Sequence, residues 1–300
     1  DYPAPTGCHP PHACVWWATI FNMAINNGIN PFNGEQSTVT TDYLYNMVNI
    51  EEVRDAFKKM ATHIMNMFAS THNYAEHISQ YWCPQPALSI SMEGCMESGK
   101  DVAWGGCKYN SYGCTATGFA TLADCISTIK YMCFDKKKCT TRELYDAVMA
   151  NWEGYEEMQN YINGEVPRYG NANEDVDQYA NWVMKTYADI GNSYTSSRGP
   201  LSVGCYPVTL NVLFGYGTWA TPDGRKAHTP LSDGIGAVQG MDKSGPTAAL
   251  VSMSHVPQNL FSNGILQNMK FHPTAISRPD GKQKLIDLMK TYFFNMGGMQ

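Results

Sequence analysis

Two cysteines and two histidines fall within seven residues near the start of the chain, in the stretch TGCHPPHACVWW at positions 6–17. Thiolates and imidazoles are zinc ligands, so Cys8, His12 and Cys14 could hold a metal. The spacing Cys-x3-His-x-Cys is not a common zinc-finger pattern, however. Pro10 and Pro11 stiffen the chain between the ligands, and no second Cys-x-x-Cys pair supports the site. The other reading makes one cysteine a catalyst. A further group, Glu93, Cys95 and Glu97 in MEGCMESGKD, fits either a nucleophile with acid/base help or a buried structural thiol.

The elements that must position these groups belong to a 300-residue chain, long enough for a large core. Its formal net charge of -6 argues against nucleic acid as a partner. Lys136, Lys137 and Lys138 form the one basic cluster and read as a solvated turn. No apolar run reaches the length of a membrane span. The chain starts at Asp1 with no charged-then-apolar leader, so it reads as processed or as a piece of something longer. Ten cysteines without a signal segment favour reduced thiols in a cytosol over a disulfide framework. With seventeen methionines they make an oxidation-prone chain and point weakly to an anaerobic setting.

Helical periodicity is strong in the middle. Asn49 with Glu52 reads as a capping box ahead of Ile50, Val53, Phe57, Met60, Ile64, Met67 and Phe68. Thr140 with Glu143 is a second box, ahead of Leu144, Val148 and Trp152. After Asn173, the residues Val176, Tyr179, Ala180, Val183, Tyr187 and Ile190 make a third apolar face. Strands are expected at residues 206–215, 86–90 and 248–253, and turn chemistry fills Thr221 to Gly234. Helices alternating with short buried strands predict an α/β domain without an internal linker. Phosphate-loop, nucleophile-elbow, His-Glu-x-x-His and Rossmann patterns are all absent.

Several ordered blocks resemble the glycyl radical enzymes, the pyruvate formate-lyase superfamily. They are similar above all to its diol dehydratase, choline lyase and arylacetate decarboxylase branches. GCMESGKDVAWGGCKYNSYG (94–113), VPRYGNANEDVD (166–177), the long GTWATPDGRKAHTPLSDGIGAVQGMDKSGPTAAL (217–250), NGILQNMKFHPTAI (263–276) and KLIDLMKTYFFNMGGMQ (284–300) carry the resemblance. It implies the second half of a ten-stranded α/β barrel, with helices around a central barrel. In the family a Gly-Cys-x-Glu-Pro loop upstream of these blocks carries a thiyl cysteine, and Cys8 takes that place here. Cys95 falls in a different block and is expected to be structural. Tyr109, Asn110 and Arg225 are expected to be supporting structure.

The chemistry implied is removal of a hydrogen atom from an unactivated carbon, which no acid or base at neutral pH manages. A sulfur radical can, because S–H and activated C–H bonds are comparable in strength. The family stores its radical on a backbone glycine, installed by a radical-SAM iron–sulfur activating enzyme. That glycine sits in an Arg-Val-x-Gly-aromatic loop, which these 300 residues do not contain. The expectation is therefore a single partial catalytic domain over residues 1–300. The N-terminal half of the barrel and the C-terminal glycyl radical domain would lie outside it, and the isolated piece would be inactive. The resemblance further implies a cytoplasmic homodimer, a small-molecule substrate and no bound metal.

The cysteine loop departs from the family's pattern. The glutamate that serves as base is replaced by Pro10, which moves no proton. His9 or His12 is the candidate replacement. Trp16 and Trp17 stand where diol dehydratases place a polar His-Asp pair, and Tyr206 and Val208 align with pocket residues. The loop carries no Arg to clamp a dicarboxylate. These departures favour an apolar or aromatic substrate and radical cleavage of a C–C or C–heteroatom bond, with decarboxylation as one form. The rival readings are a catalytically inactive homologue or fragment, and a metal-binding protein using Cys8, His12 and Cys14.

Overall fold

The computed structural model describes residues 7, 8, 11–110 and 112–298, and side chains from Cys14 onward within that range. The chain opens with two short strands, β1 (Gly7–Cys8) and β2 (Pro11–Trp16). β2 runs directly into helix α1 (Trp17–Ala24). A long helix, α2 (Ile50–Trp82), follows, then two short ones, α3 (Pro86–Ser91) and α4 (Cys95–Ser98). Strands β3 (Tyr109–Asn110) and β4 (Tyr112–Thr117) lead through Gly118 into α5 (Phe119–Ile129). Gly118 has a φ of +84°, and a side chain there would press on Leu231. Helices α6 (Thr141–Met149), α7 (Glu156–Glu165) and α8 (Glu174–Gly191) precede β5 (Thr195–Ser196) and β6 (Gly199–Gly204). The remainder is loop with α9 (Leu210–Tyr216), α10 (Pro246–Ser254), α11 (Pro273–Ile276) and α12 (Gly281–Lys290).

β2, β4 and β6 lie parallel in that spatial order, with β5 antiparallel on the edge of β6, while β1 pairs in parallel with β3. Parallel neighbours need crossovers. Helices α1 to α4 make the first and α5 to α8 the second. Of these, α1, α2, α5 and α8 pack with one face of the sheet in the main core. Val15, Tyr112, Cys114, Ala116, Leu201, Val203 and Cys205 point into the main core, together with Phe57 of α2 and Tyr187 of α8. Trp17 is clamped there edge-on between Tyr187 at 4.9 Å and Phe57 at 5.4 Å. The Tyr187 hydroxyl donates to the Cys114 carbonyl at 2.9 Å.

The three helices expected from capping chemistry form. Asn49 Oδ1 accepts from the Glu52 N–H at 2.9 Å and starts α2. Thr140 and Glu143 cap each other reciprocally at α6. Asn173 accepts from the Asp175 N–H at α8. The three expected strands do not form. Residues 206–215 lie mostly in α9, because Pro207 and the left-handed Val208 (φ 47°) and Thr209 (φ 70°) end the extended run. Residues 86–90 and 248–253 lie in α3 and α10, each opened by a proline in its first turn, where a missing N–H costs nothing. Short apolar runs do not distinguish a strand from a buried helix. Among the described residues no helix is long and apolar enough to cross a membrane.

Candidate active site

Strand periodicity sends alternate residues to opposite faces. The residues between those of the core, Cys14 and Trp16 on β2, Thr115 and Thr117 on β4, Ser202 and Gly204 on β6, make up the opposite face, which is buried along β4 and β6 and opens only at Cys14 and Trp16. Trp16 and Cys14 are half-buried there and pack with Leu210, Phe214, Ala18 and Leu231. The Trp16 indole lies 4.2 Å from the Phe214 ring, between centroids. Tyr206 follows just past the end of β6. Its backbone is held by one side chain, since the Tyr206 N–H donates to Thr115 Oγ1 at 2.9 Å and the same hydroxyl donates to the Tyr206 carbonyl at 3.0 Å. The Tyr206 ring covers Gly204, where an added Cβ would come within 2.5 Å of Cε1. Burial raises the Tyr206 phenol, and a hydrogen bond from Asn263 opposes the rise.

Cys8 is placed by its backbone, in the separate two-stranded sheet. Gly7 pairs with Tyr109 and Cys8 with Asn110, which sets the cysteine at the end of β1 against the Lys108–Asn110 segment. Asn110 Nδ2 donates to the Gly105 carbonyl at 3.0 Å. The Cys8 and His12 side chains, all of His9, and Pro10 lie outside the described residues.

The other candidates separate. Trp16 and Tyr206 share the open face. Trp17 sits on the helix side of the sheet with 1% of its surface exposed, so it belongs to the core and not to the open face. Val208 is 64% exposed on the loop leading to α9. Cys95 is buried with Met92, Val102 and Cys107 in a small core of its own, as a structural thiol would be. Sequence periodicity does not bring out Phe214 or Thr115. The alternation over residues 206–215 suggests a strand, whereas helical spacing puts Leu210 and Phe214 on one face of α9.

The Cys14 and Cys114 thiols are held protonated. Burial pushes Cys14 up to about 11 and Cys114 to about 12. Neutral thiols are poor nucleophiles and poor zinc ligands. Among the described residues no three His, Cys, Asp or Glu side chains gather to hold a metal. Hydrogen-atom chemistry, by contrast, uses the S–H bond itself.

A buried charge cluster braces the loop that follows α9. Arg168 lies 3.7 Å from both Asp124 of α5 and Asp223 of the loop, and all three are at most 5% exposed. Asp124 also accepts from the Tyr169 N–H at 2.9 Å. Burial still outweighs these partners and pushes Asp124 up to about 7. Arg225 ties the same loop together, donating to Thr221 Oγ1 at 3.2 Å and to the Thr229 and Thr218 carbonyls at 2.7 and 3.2 Å. This fits the supporting role expected of it. Hollows of about 530 and 610 Å³ open elsewhere, among residues 233–296.

Comparison with known proteins identifies this architecture. The family model described as pyruvate formate lyase-like matches residues 6–215, and the one described as glycine radical matches residues 231–300. The chain is 31% identical over 299 residues to trans-4-hydroxy-L-proline dehydratase of Clostridioides difficile, covering 98% of this chain and 38% of that protein. It is 28% identical to indoleacetate decarboxylase of Tractidigestivibacter scatoligenes, covering 92% of this chain and 34% of that protein. The B12-independent glycerol dehydratase of Clostridium butyricum, in its glycerol-bound form, superimposes with a TM-score of 0.90 at 33% identity, over 95% of this chain and 36% of that one. The chain thus spans little more than a third of the relatives it matches, and its curled sheet with surrounding helices is the half-barrel of those structures. It belongs to the pyruvate formate lyase-like family of glycyl radical enzymes.

Proposed function

We propose that this chain is part of an enzyme that abstracts a hydrogen atom from a small organic substrate at Cys8 and cleaves a C–C or C–heteroatom bond. The parallel pairing of Cys8 with Asn110 in the two-stranded β1–β3 sheet, which leads directly into the β4 strand of the main sheet, is the observation that carries the reading. A protein glycyl radical, installed by a radical-SAM activating enzyme, supplies the unpaired electron when present. The chain's own residues do the rest. The strand pairing positions Cys8, while Trp16, Phe214 and Tyr206 present an aromatic surface and exclude water. An imidazole at His9 or His12 moves the proton that Pro10 cannot.

The substrate class that suits this face is apolar or aromatic. The half-exposed residues on it are Cys14, Trp16 and Tyr206, and the Thr115 hydroxyl is consumed by the Tyr206 backbone. That an indoleacetate decarboxylase is among the relatives supports the same choice. The active protein is a cytoplasmic homodimer, and the 300-residue piece alone does not turn over.

The test is an anaerobic electron paramagnetic resonance spectrum of the full-length gene product after treatment with its activating enzyme. A glycyl doublet is expected. In Cys8→Ala the doublet should persist while turnover falls by about four orders of magnitude or more, as when a covalent catalyst is removed. Silence from the complete, folded protein would leave an inactive homologue as the better reading.

A further inference from the structure

Two pairs of thiols approach each other in the described structure, and they differ in a way that matters. Cys95 and Cys107 lie 3.8 Å apart, both in the small core beneath α4. The backbone around them is packed tightly: a Cβ on Gly94 would come within 2.6 Å of the Lys108 nitrogen. Neither sulfur can be reached without opening that core. Cys133 and Cys139 lie 3.9 Å apart at the surface end of α5, and Cys133 is only half-buried.

The connection between them is short and bent back on itself. Cys133 sits in a π-helical turn, Lys130–Asp135, that continues α5. The Met132 carbonyl accepts from the Lys138 N–H at 2.7 Å, and Lys137 is left-handed with a φ of 49°. This brings Cys139, which directly precedes the Thr140 cap of α6, beside Cys133. The two sulfurs share a hydrogen bond, and that bond lowers the Cys139 thiol below its ordinary value.

We propose that Cys133 and Cys139 are a reversible oxidation site, converted by a peroxide into an intramolecular disulfide that staples the end of α5 to the start of α6. One sulfur attacks a peroxide oxygen as thiolate, the O–O bond breaks, water leaves and a sulfenic acid forms. The second sulfur displaces water from it and closes the S–S bond. Two electrons pass from the two thiols to the peroxide, and the protons end in two waters. The sulfurs must close from 3.9 Å to about 2.05 Å, a side-chain rotation across a link of five residues. Nothing in this requires Cys8 or the open face of the sheet.

The test uses the full-length gene product, purified without oxygen, treated with graded hydrogen peroxide and alkylated in denaturant. Trypsin cuts at Lys136, Lys137 and Lys138, so the disulfide should appear as a linked peptide pair, lighter than its two parts by two hydrogens. Cys133 and Cys139 should lose alkylation together, about tenfold faster than Cys95 and Cys107, and dithiothreitol should restore both. In Cys133→Ser, Cys139 should instead yield a sulfenic acid that dimedone traps. Full alkylation of both cysteines at peroxide levels that consume other thiols would overturn the proposal, as would pairing of either one with a different cysteine. The wild-type peptide map decides alone should the variant fail to fold.

Discussion

The indole of Trp16 and the ring of Phe214 lie 4.2 Å apart with their planes inclined by 31°. The pair joins the end of β2 to the helix after β6 and forms the aromatic floor of the open face. Phe214 is 8% exposed. Its truncation in Phe214→Ala should cost about 3–5 kcal/mol, the usual range for a buried phenylalanine. Urea unfolding of the full-length protein measures this. A loss under about 1 kcal/mol would mean the face rearranges freely.

Gly204 leaves room for the Tyr206 ring. In Gly204→Ala the new methyl group would lie 2.5 Å from Cε1, and a tyrosine ring is easier to displace than a strand. Turnover should therefore fall more than stability does. Equal losses, from thermal melting beside steady-state kinetics, would make Gly204 a residue of the core instead.

Asp124 ionises near 7 in the folded chain, against about 3.9 when unfolded. The folded state therefore holds the proton more tightly between those values. The resulting stabilisation is complete below about pH 4 and is lost as pH rises through about 7. Asparagine cannot ionise. Asp124→Asn should lose less stability than the wild type between pH 5 and 8, by roughly 2–4 kcal/mol. Parallel curves of melting temperature against pH would show that Arg168 keeps the carboxylate charged throughout.

Thr140 and Glu143 close the start of α6 by mutual hydrogen bonds. Thr140→Ala should cost about 1 kcal/mol, the common worth of such a cap, in chemical denaturation. A neutral result would place the helix's stability wholly in Leu144, Ala147 and Val148.

The helices were legible because their signals are local. A cap and a 3.6-residue stripe lie within one segment, as at Asn49 and Thr140. The strands were not. β4 and β6 are short, buried on both faces and paired with partners some ninety residues away, so neither alternates in polarity as an exposed strand would. Pro86 and Pro246 mark helix starts, yet the apolar residues after them also suit a strand. The role proposed for Cys8 rests on resemblance, since nothing local separates it from a zinc ligand. The Arg168 cluster was invisible for another reason. Asp124 and Asp223 lie 99 positions apart, and only the fold brings them to one guanidinium.

The alternation along β2, β4 and β6 divides two duties between adjacent positions. Val15, Cys114, Ala116, Leu201 and Val203 answer to the helices behind the sheet. On the other side Cys14, Trp16 and Tyr206 stay half-exposed, and under the proposed function they answer to the substrate. A lineage can therefore drift from one substrate to another by changing every second residue, with the scaffold's tolerance for mutation left almost untouched. Relatives that dehydrate hydroxyproline and glycerol, or decarboxylate indoleacetate, are what such an arrangement would be expected to leave behind.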